Sequence, residues 1–181
     1  MRKSMLSLLL VLAALTLFAG CGDDVADDPK LSEEGKTVIE EVGGPFSASE
    51  FERFLADLPS IPGLTAESQK YVGDATGAAL SAKVLGAIKA RGWDEERFMY
   101  IYSHTMTMVS AEQMNKATEQ MQAQLKDMPE EQKKMMEQMI GQQMGGQMEA
   151  FQAELDKQVP GSEQTIIKDN LPKLYSVLGI E

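Results

Sequence analysis

The chain has 181 residues and carries 28 acidic residues against 17 basic ones, a formal net charge of −11. This excess of negative charge argues against nucleic-acid binding, because phosphates require clustered Lys and Arg. A single Cys excludes an internal disulfide framework and a Cys-rich zinc site, and a single His excludes a multi-histidine metal centre. The length suits one domain.

The first 20 residues have the layout of a secretory signal peptide. Arg2 and Lys3 supply positive charge, residues 5–18 are almost wholly apolar, and two small residues precede Cys21. The apolar and small residues together form a segment shorter than the ~20 residues that a membrane-spanning helix needs. Its length therefore favours a cleaved signal peptide over the alternative, an uncleaved transmembrane anchor.

The end of this segment, Leu-Phe-Ala-Gly-Cys at residues 17–21, resembles the lipobox of bacterial lipoproteins. The resemblance implies that residues 1–20 are removed and that Cys21 carries a diacylglycerol anchor. Each buried CH₂ contributes ~0.8 kcal/mol, so several acyl chains hold a protein on a bilayer. Because Gly22 rather than Asp follows the Cys, the resemblance favours the outer membrane, facing the periplasm, over the inner membrane. An ordinary signal peptide with an incidental Cys is the alternative.

After the signal peptide the sequence divides into two parts. Residues 21–45 are expected to hold the lipidated Cys and a flexible acidic tether, and residues 46–181 to form an α-helical domain. Residues 22–35 contain six acidic residues and one Lys, and such a segment cannot bury enough apolar surface to order itself. An acidic docking or cation site is the alternative for this segment, but charge runs are usually solvated. Residues 36–42 are expected to form a short helix.

From Ser47 onward, capping residues and apolar positions at helical spacing predict an all-α domain without strands. Ser47 and Glu50 form a capping-box pattern, and Pro172 predicts a kink or a restart near Asn170. The predicted helices cover residues 47–58, 65–91, 94–126, 129–158 and 162–178. Two of them would be ~45–50 Å long. The sequence therefore predicts an elongated helical bundle with a long Met- and Gln-rich helical hairpin.

Methionine is concentrated in that hairpin. Two of the 13 methionines lie in the signal peptide, and all the others lie between Met99 and Met148. A narrow apolar seam is predicted from the spacing of Met114, Met121, Met128, Met135 and Met139. The favoured interpretation is a core built from a flexible, gap-filling side chain. The alternative is an adaptable surface that binds varied protein partners.

Residues 104–108, His-Thr-Met-Thr-Met, are similar to the His- and Met-rich motifs of periplasmic copper-handling proteins. Thioether and imidazole are suitable ligands for Cu(I). On a helix, however, His104 and Met108 share a face, whereas Met106 points away from it. The favoured interpretation of His104 is therefore a histidine on a helix face without a metal ligand.

The sequence contains no glycine-rich phosphate loop, no nucleophile elbow and no zinc-protease motif, so no catalytic residue, cofactor or enzymatic activity is predicted. It predicts a membrane-anchored bacterial lipoprotein with a non-enzymatic binding or envelope-structural role in the periplasm. The expected partners are membrane lipid, through the acylated Cys21, and a protein. A chaperone-like binder of unfolded or exported proteins, acting through the Met-rich hairpin, and a copper-binding lipoprotein are the alternatives.

Overall fold

The computed structural model describes Val25 and residues 28–125, 128–140 and 146–180, without the side chains of residues 136, 137, 139 and 140. Over these residues the fold is an all-α helical bundle with no strand, which confirms the predicted fold class. The helices in chain order are α1 (Glu33–Glu41), α2 (Ala48–Asp57), α3 (Gly77–Ala90), α4 (Glu95–Leu125), α5 (Glu130–Ile140), α6 (Gly146–Gln158), α7 (Gly161–Asp169) and α8 (Leu171–Leu178), with 3₁₀ helices at Leu58–Ser60 and Glu67–Tyr71.

The hydrophobic core surrounds the N-terminal half of α4. This half packs against α2, α3 and α7. Aromatic rings dominate the contact: the Phe54 and Phe98 centroids lie 5.1 Å apart, and the Trp93 and Phe98 centroids lie 5.6 Å apart. Asp94 positions the start of α4, because its carboxylate accepts a hydrogen bond from the Arg97 N–H (3.0 Å).

The C-terminal half of α4 leaves this core and forms the predicted hairpin with α5 and α6. At 31 residues, α4 is about 46 Å long. Between Ala111 and Leu125 no residue of α4 is buried, and the half-buried positions are Glu112, Asn115, Thr118 and Met121. These positions are more polar than the predicted Met seam, and they do not form a single face, since residues nine apart on an α-helix lie on opposite sides.

The predicted helix over residues 65–91 is divided in two. Residues Glu67–Tyr71 form a 3₁₀ helix, and α3 begins only at Gly77. Gly73 and Gly77 have φ values of +60° and +52°, a left-handed conformation that interrupts an α-helix and that glycine adopts without strain. The predicted helix over 129–158 is likewise two helices, α5 and α6, separated by residues 141–145, which lie outside the described residues. The predicted break near Asn170 is confirmed: α7 ends at Asp169, and Pro172 lies in the first turn of α8.

The folded part of the chain begins earlier than the expected boundary at residue 46. Leu31 and Ile39 are buried in the core, and α1 occupies much of the segment assigned to the tether. Ser32 explains the difference. Its Oγ accepts a hydrogen bond from the Gly35 N–H (3.0 Å) and caps α1, while its own N–H donates to the Lys157 carbonyl (3.0 Å) at the end of α6. α1 therefore contains most of the short helix expected over residues 36–42 and begins three residues earlier, inside the segment expected to be a solvated tether.

Candidate functional site

An open groove of about 660 Å³ runs along the molecule where α1, α4 and α6 meet. Its lining combines a short apolar wall with polar and acidic side chains. The lining residues are Ser32, Glu34, Gly35, Val38, Val42, Glu96, Met99, Tyr100, Ser103, His104, Thr107, Glu154 and Gln158. The helices that border the groove are held together at one end by the hydrogen bond from Ser32 to Lys157.

A buried polar cluster lies beside the groove and is centred on Glu163, whose exposed fraction is 0%. One oxygen of this carboxylate, Oε1, accepts hydrogen bonds from the Tyr100 hydroxyl (2.7 Å) and the Phe46 N–H (3.0 Å). The other, Oε2, lies 2.6 Å from His104 Nδ1. Every polar partner that Glu163 needs is thus supplied by the fold, which is the condition for keeping a carboxylate in a protein interior.

Local structure explains how these groups converge. Tyr100 and His104 are four residues apart and therefore share a face of α4, and their ring centroids are 4.1 Å apart. Glu163 lies in the first turn of α7, where the helix dipole favours a negative charge. Phe46 precedes α2, so the cluster ties together the elements around α4.

Burial and the neighbouring Glu163 carboxylate raise the pKa of the Tyr100 phenol. The phenol therefore stays protonated and remains a hydrogen-bond donor to the carboxylate. His104 is only 12% exposed, and both it and Tyr100 line the groove. In the described part of the chain, the second ring nitrogen of His104, Nε2, has no hydrogen-bond partner.

A second set of interactions fixes the edge of the groove near Val42. The Arg97 guanidinium forms a two-pronged ion pair with Glu50, at 2.8 and 2.7 Å, and also donates to the carbonyls of Val42 (3.2 Å) and Gly44. The hydrogen bonds to Glu50 raise the pKa of Arg97. Ser47 caps α2 as predicted, but Glu50 pairs with Arg97 and does not complete the predicted capping box. The end of α1 is thereby fixed to α4.

The groove has a negative electrostatic character. Glu34, Glu96 and Glu154 line it, whereas neither Lys nor Arg occurs among the described residues that do so. Hydrogen bonds from Gln158 and Lys157 lower the pKa of Glu154, which therefore remains ionised. Glu34 and Glu96 have no ion-pair partner within the described residues, so their charges are free to act on a bound molecule.

The site residues predicted from the sequence do not come together in this groove. Cys21 lies outside the described residues, and so does the side chain of Met139. Met114 and Met135 are exposed, by 38% and 71%, whereas Met121 and Met128 are half-buried. The four described methionines therefore differ in exposure, and none of them lines the groove.

The residues of the copper-like motif are also separated. Met108 is buried in the core, and Met106 is partly buried against the core. His104 Nδ1 is hydrogen-bonded to Glu163. Among the described residues, no group of three or more His, Cys, Asp or Glu side chains is arranged to hold a metal ion.

Sequence reasoning missed Glu163 and the acidic groove. An acidic residue in the first turn of a helix normally faces solvent and favours the dipole, so Glu163 carries no local sign of burial. The available signal was the pairing of Tyr100 with His104 on one face of a helix, since polar groups on a core-facing helix need a buried partner.

Comparison with known proteins adds no relative: no family model, curated protein or solved structure matches the chain. None of the helices in the described ranges combines the length and the apolar character that crossing a bilayer requires.

Proposed function

We propose that the chain is a membrane-anchored bacterial lipoprotein with a non-enzymatic binding role in the periplasm, and that the groove between α1, α4 and α6 holds its ligand. The groove is the observation that carries the binding role. At about 660 Å³ it lies within the range of small-molecule sites, roughly 300–1,000 Å³. It also has their usual composition, since an apolar wall stands next to a few polar groups that can orient a ligand.

The rigidity of the floor supports the same function. A binding site needs side chains whose positions are already set before the ligand arrives. Glu163 fixes Tyr100 and His104 by short hydrogen bonds, and Arg97 fixes the end of α1. The groove is therefore supported by interactions that do not depend on a bound molecule.

The anchor and the groove would be close in space. The lipobox resemblance assigns the lipid to Cys21, and α1 begins soon after it. The 11 residues from Cys21 to Ser32 can span at most about 40 Å when fully extended. In this proposal the protein binds its ligand near the membrane surface.

A variant that fills the groove tests the binding role. Val38 is 44% exposed and lines the groove, so Val38→Trp should occupy the ligand's space without disturbing the core. Glu41→Trp is the matched control, because Glu41 is exposed on the same helix and does not line the groove. A compound that raises the melting temperature of the full chain should bind Val38→Trp at least tenfold more weakly than it binds the wild type. It should bind Glu41→Trp as tightly as the wild type. Equal affinity for both variants would contradict the assignment of the groove.

The anchor has a separate test. Cys21→Ser should leave an unprocessed precursor that takes up no labelled fatty acid, whereas the wild-type chain should be processed and labelled. Normal maturation and membrane retention of the Cys21→Ser chain would refute the lipid anchor and leave the groove unaffected.

Exposed methionines support a second candidate function, a chaperone-like binder of unfolded or exported proteins. Met114 and Met135 expose flexible apolar surface on the hairpin, and such surfaces adapt to varied partners. Because both side chains are exposed, Met114→Gln/Met135→Gln should melt like the wild type but protect an aggregating client less well. Unchanged protection by this variant, or no protection by the wild type, would exclude this candidate.

A further inference from the structure

The polar groups of the groove are mostly hydrogen-bond acceptors. Glu34, Glu96 and Glu154 present carboxylates, which accept hydrogen bonds and cannot donate them when ionised. Glu154 is paired with Lys157 at 3.2 Å, whereas Glu34 and Glu96 have no such counter-ion in the described part of the chain. The two unpaired carboxylates favour a ligand that is positively charged and rich in hydrogen-bond donors.

His104 adds an observation that is independent of these acids. Its Nδ1 lies 2.6 Å from the buried Glu163 carboxylate, an arrangement in which Nδ1–H donates and Glu163 accepts. In the Nδ1–H tautomer, Nε2 carries no hydrogen and is an acceptor, and none of the described residues forms a hydrogen bond with it. A largely buried ring at the wall of the groove thus offers one more acceptor to a bound donor.

The groove also has an apolar side. Val38, Val42 and Met99 line it, and Val38 and Met99 remain substantially exposed to solvent. Covering these side chains with an apolar body removes apolar surface from water and favours binding. The ligand that fits both sides is therefore amphiphilic.

We propose that the groove binds a small organic cation, a primary amine or guanidinium joined to an apolar body, with its charged end between Glu34, Glu96 and His104. This inference rests on the proposed function, since it names the ligand class of the same groove. The volume favours a small molecule over a macromolecular partner, because about 660 Å³ is the space of a small-molecule site.

Three indole probes that share the ring and the two-carbon chain but differ in the charge of the end group test the proposal: tryptamine, which is cationic, tryptophol, which is neutral, and indole-3-propionate, which is anionic. Affinities are measured by calorimetry on the full chain in a non-ionic detergent, with empty micelles as the blank. Tryptamine should bind the wild type at least tenfold more tightly than indole-3-propionate, with tryptophol between them. Higher salt should reduce this difference, because the charges are partly exposed.

A double variant separates charge recognition from apolar contact. Glu34→Gln/Glu96→Gln should weaken tryptamine binding about fivefold, within the range that two partly exposed ion pairs supply, and leave tryptophol binding unchanged. Glu130→Gln/Glu131→Gln is the matched control. Those two residues are also exposed in the first turn of a helix, they lie outside the groove, and their replacement changes the net charge equally. The control should bind all three probes like the wild type.

Four results would overturn the proposal. The first is equal or reversed affinity for tryptamine and indole-3-propionate. The second is loss of tryptamine affinity in both double variants alike, which would show an effect of net charge. The third is tryptamine binding that survives Val38→Trp, and the fourth is the absence of binding by any of the three probes. If uncharged or anionic compounds bind the wild type and are lost in Val38→Trp, the groove remains a binding site and only the cation selectivity fails.

Discussion

Of the charged side chains described above, Glu163 should destabilise the protein most when it is replaced by Ala. The carboxylate is fully buried and has three neighbours that depend on it: the Phe46 N–H at 3.0 Å, the Tyr100 hydroxyl at 2.7 Å and His104 Nδ1 at 2.6 Å. Glu163→Ala leaves all three without their acceptor in a region that water reaches poorly.

The size of the effect follows from these neighbours. A buried donor that loses its partner costs about 1–3 kcal/mol, and Glu163→Ala takes the acceptor away from three such groups. We therefore expect Glu163→Ala to lower the free energy of unfolding by about 4 kcal/mol. Glu163→Gln should lower it by about 2 kcal/mol, because the amide oxygen can still accept from Tyr100 and Phe46 while the charge is lost.

Urea unfolding followed by circular dichroism at 222 nm measures these differences. Glu119→Ala is the control, since Glu119 is exposed on α4 and its removal should change the stability by less than about 0.5 kcal/mol. If Glu163→Ala stays within about 1 kcal/mol of the wild type, the cluster does not hold these helices together in the way that its geometry indicates.

Three further predictions concern other parts of the fold. Burial and the Glu163 carboxylate raise the pKa of Tyr100 in the folded state. As the pH rises, the phenol therefore loses its proton in the unfolded state before it does so in the folded state. Stability should therefore fall above about pH 10, and Tyr100→Phe should make that fall shallower by up to about 1.4 kcal/mol per pH unit in urea titrations. Met108→Ala removes a buried side chain and should cost about 2–5 kcal/mol, whereas Met135→Gln on the exposed hairpin should change the melting temperature little. A Cβ at position 35 would lie 2.5 Å from the Lys157 carbonyl oxygen, so Gly35→Ala should lower the melting temperature, while Gly86→Ala, inside α3 with open space around it, should raise it.

Much of the helical bundle could be predicted because its boundaries are encoded locally. Ser47 and Asp94 cap helices by hydrogen bonds to the residue three positions later, and Pro172 forces the restart of α8. Each of these signals lies within one turn of the structure that it specifies. The breaks at Gly73 and Gly77 were not predicted, because a glycine shows only that a left-handed conformation is available and not that the chain adopts it.

The polar cluster could not be predicted from local patterns, because its members are far apart in the chain. His104 and Glu163 are separated by 59 positions. The sequence of the helix around each residue does not indicate that its side chain is buried. The Met-rich hairpin shows how little a spacing pattern says about burial. The seven-residue spacing of its methionines predicts a seam, and in the structure Met114 and Met135 are exposed whereas Met121 and Met128 are half-buried.

The groove depends on a segment whose composition indicates disorder. Acidic residues dominate the chain before α1, and by composition alone they favour a solvated tether. Two small residues change the outcome. Ser32 caps α1 and also donates to the last turn of α6, and Gly35 lets the two helices approach closely because it has no side chain at the contact. Once α1 is held there, its buried Ile39 joins the core, and its Glu34 and Val38 face the groove. The same contact therefore completes the bundle and brings an acidic and an apolar side chain to the wall of the proposed binding site.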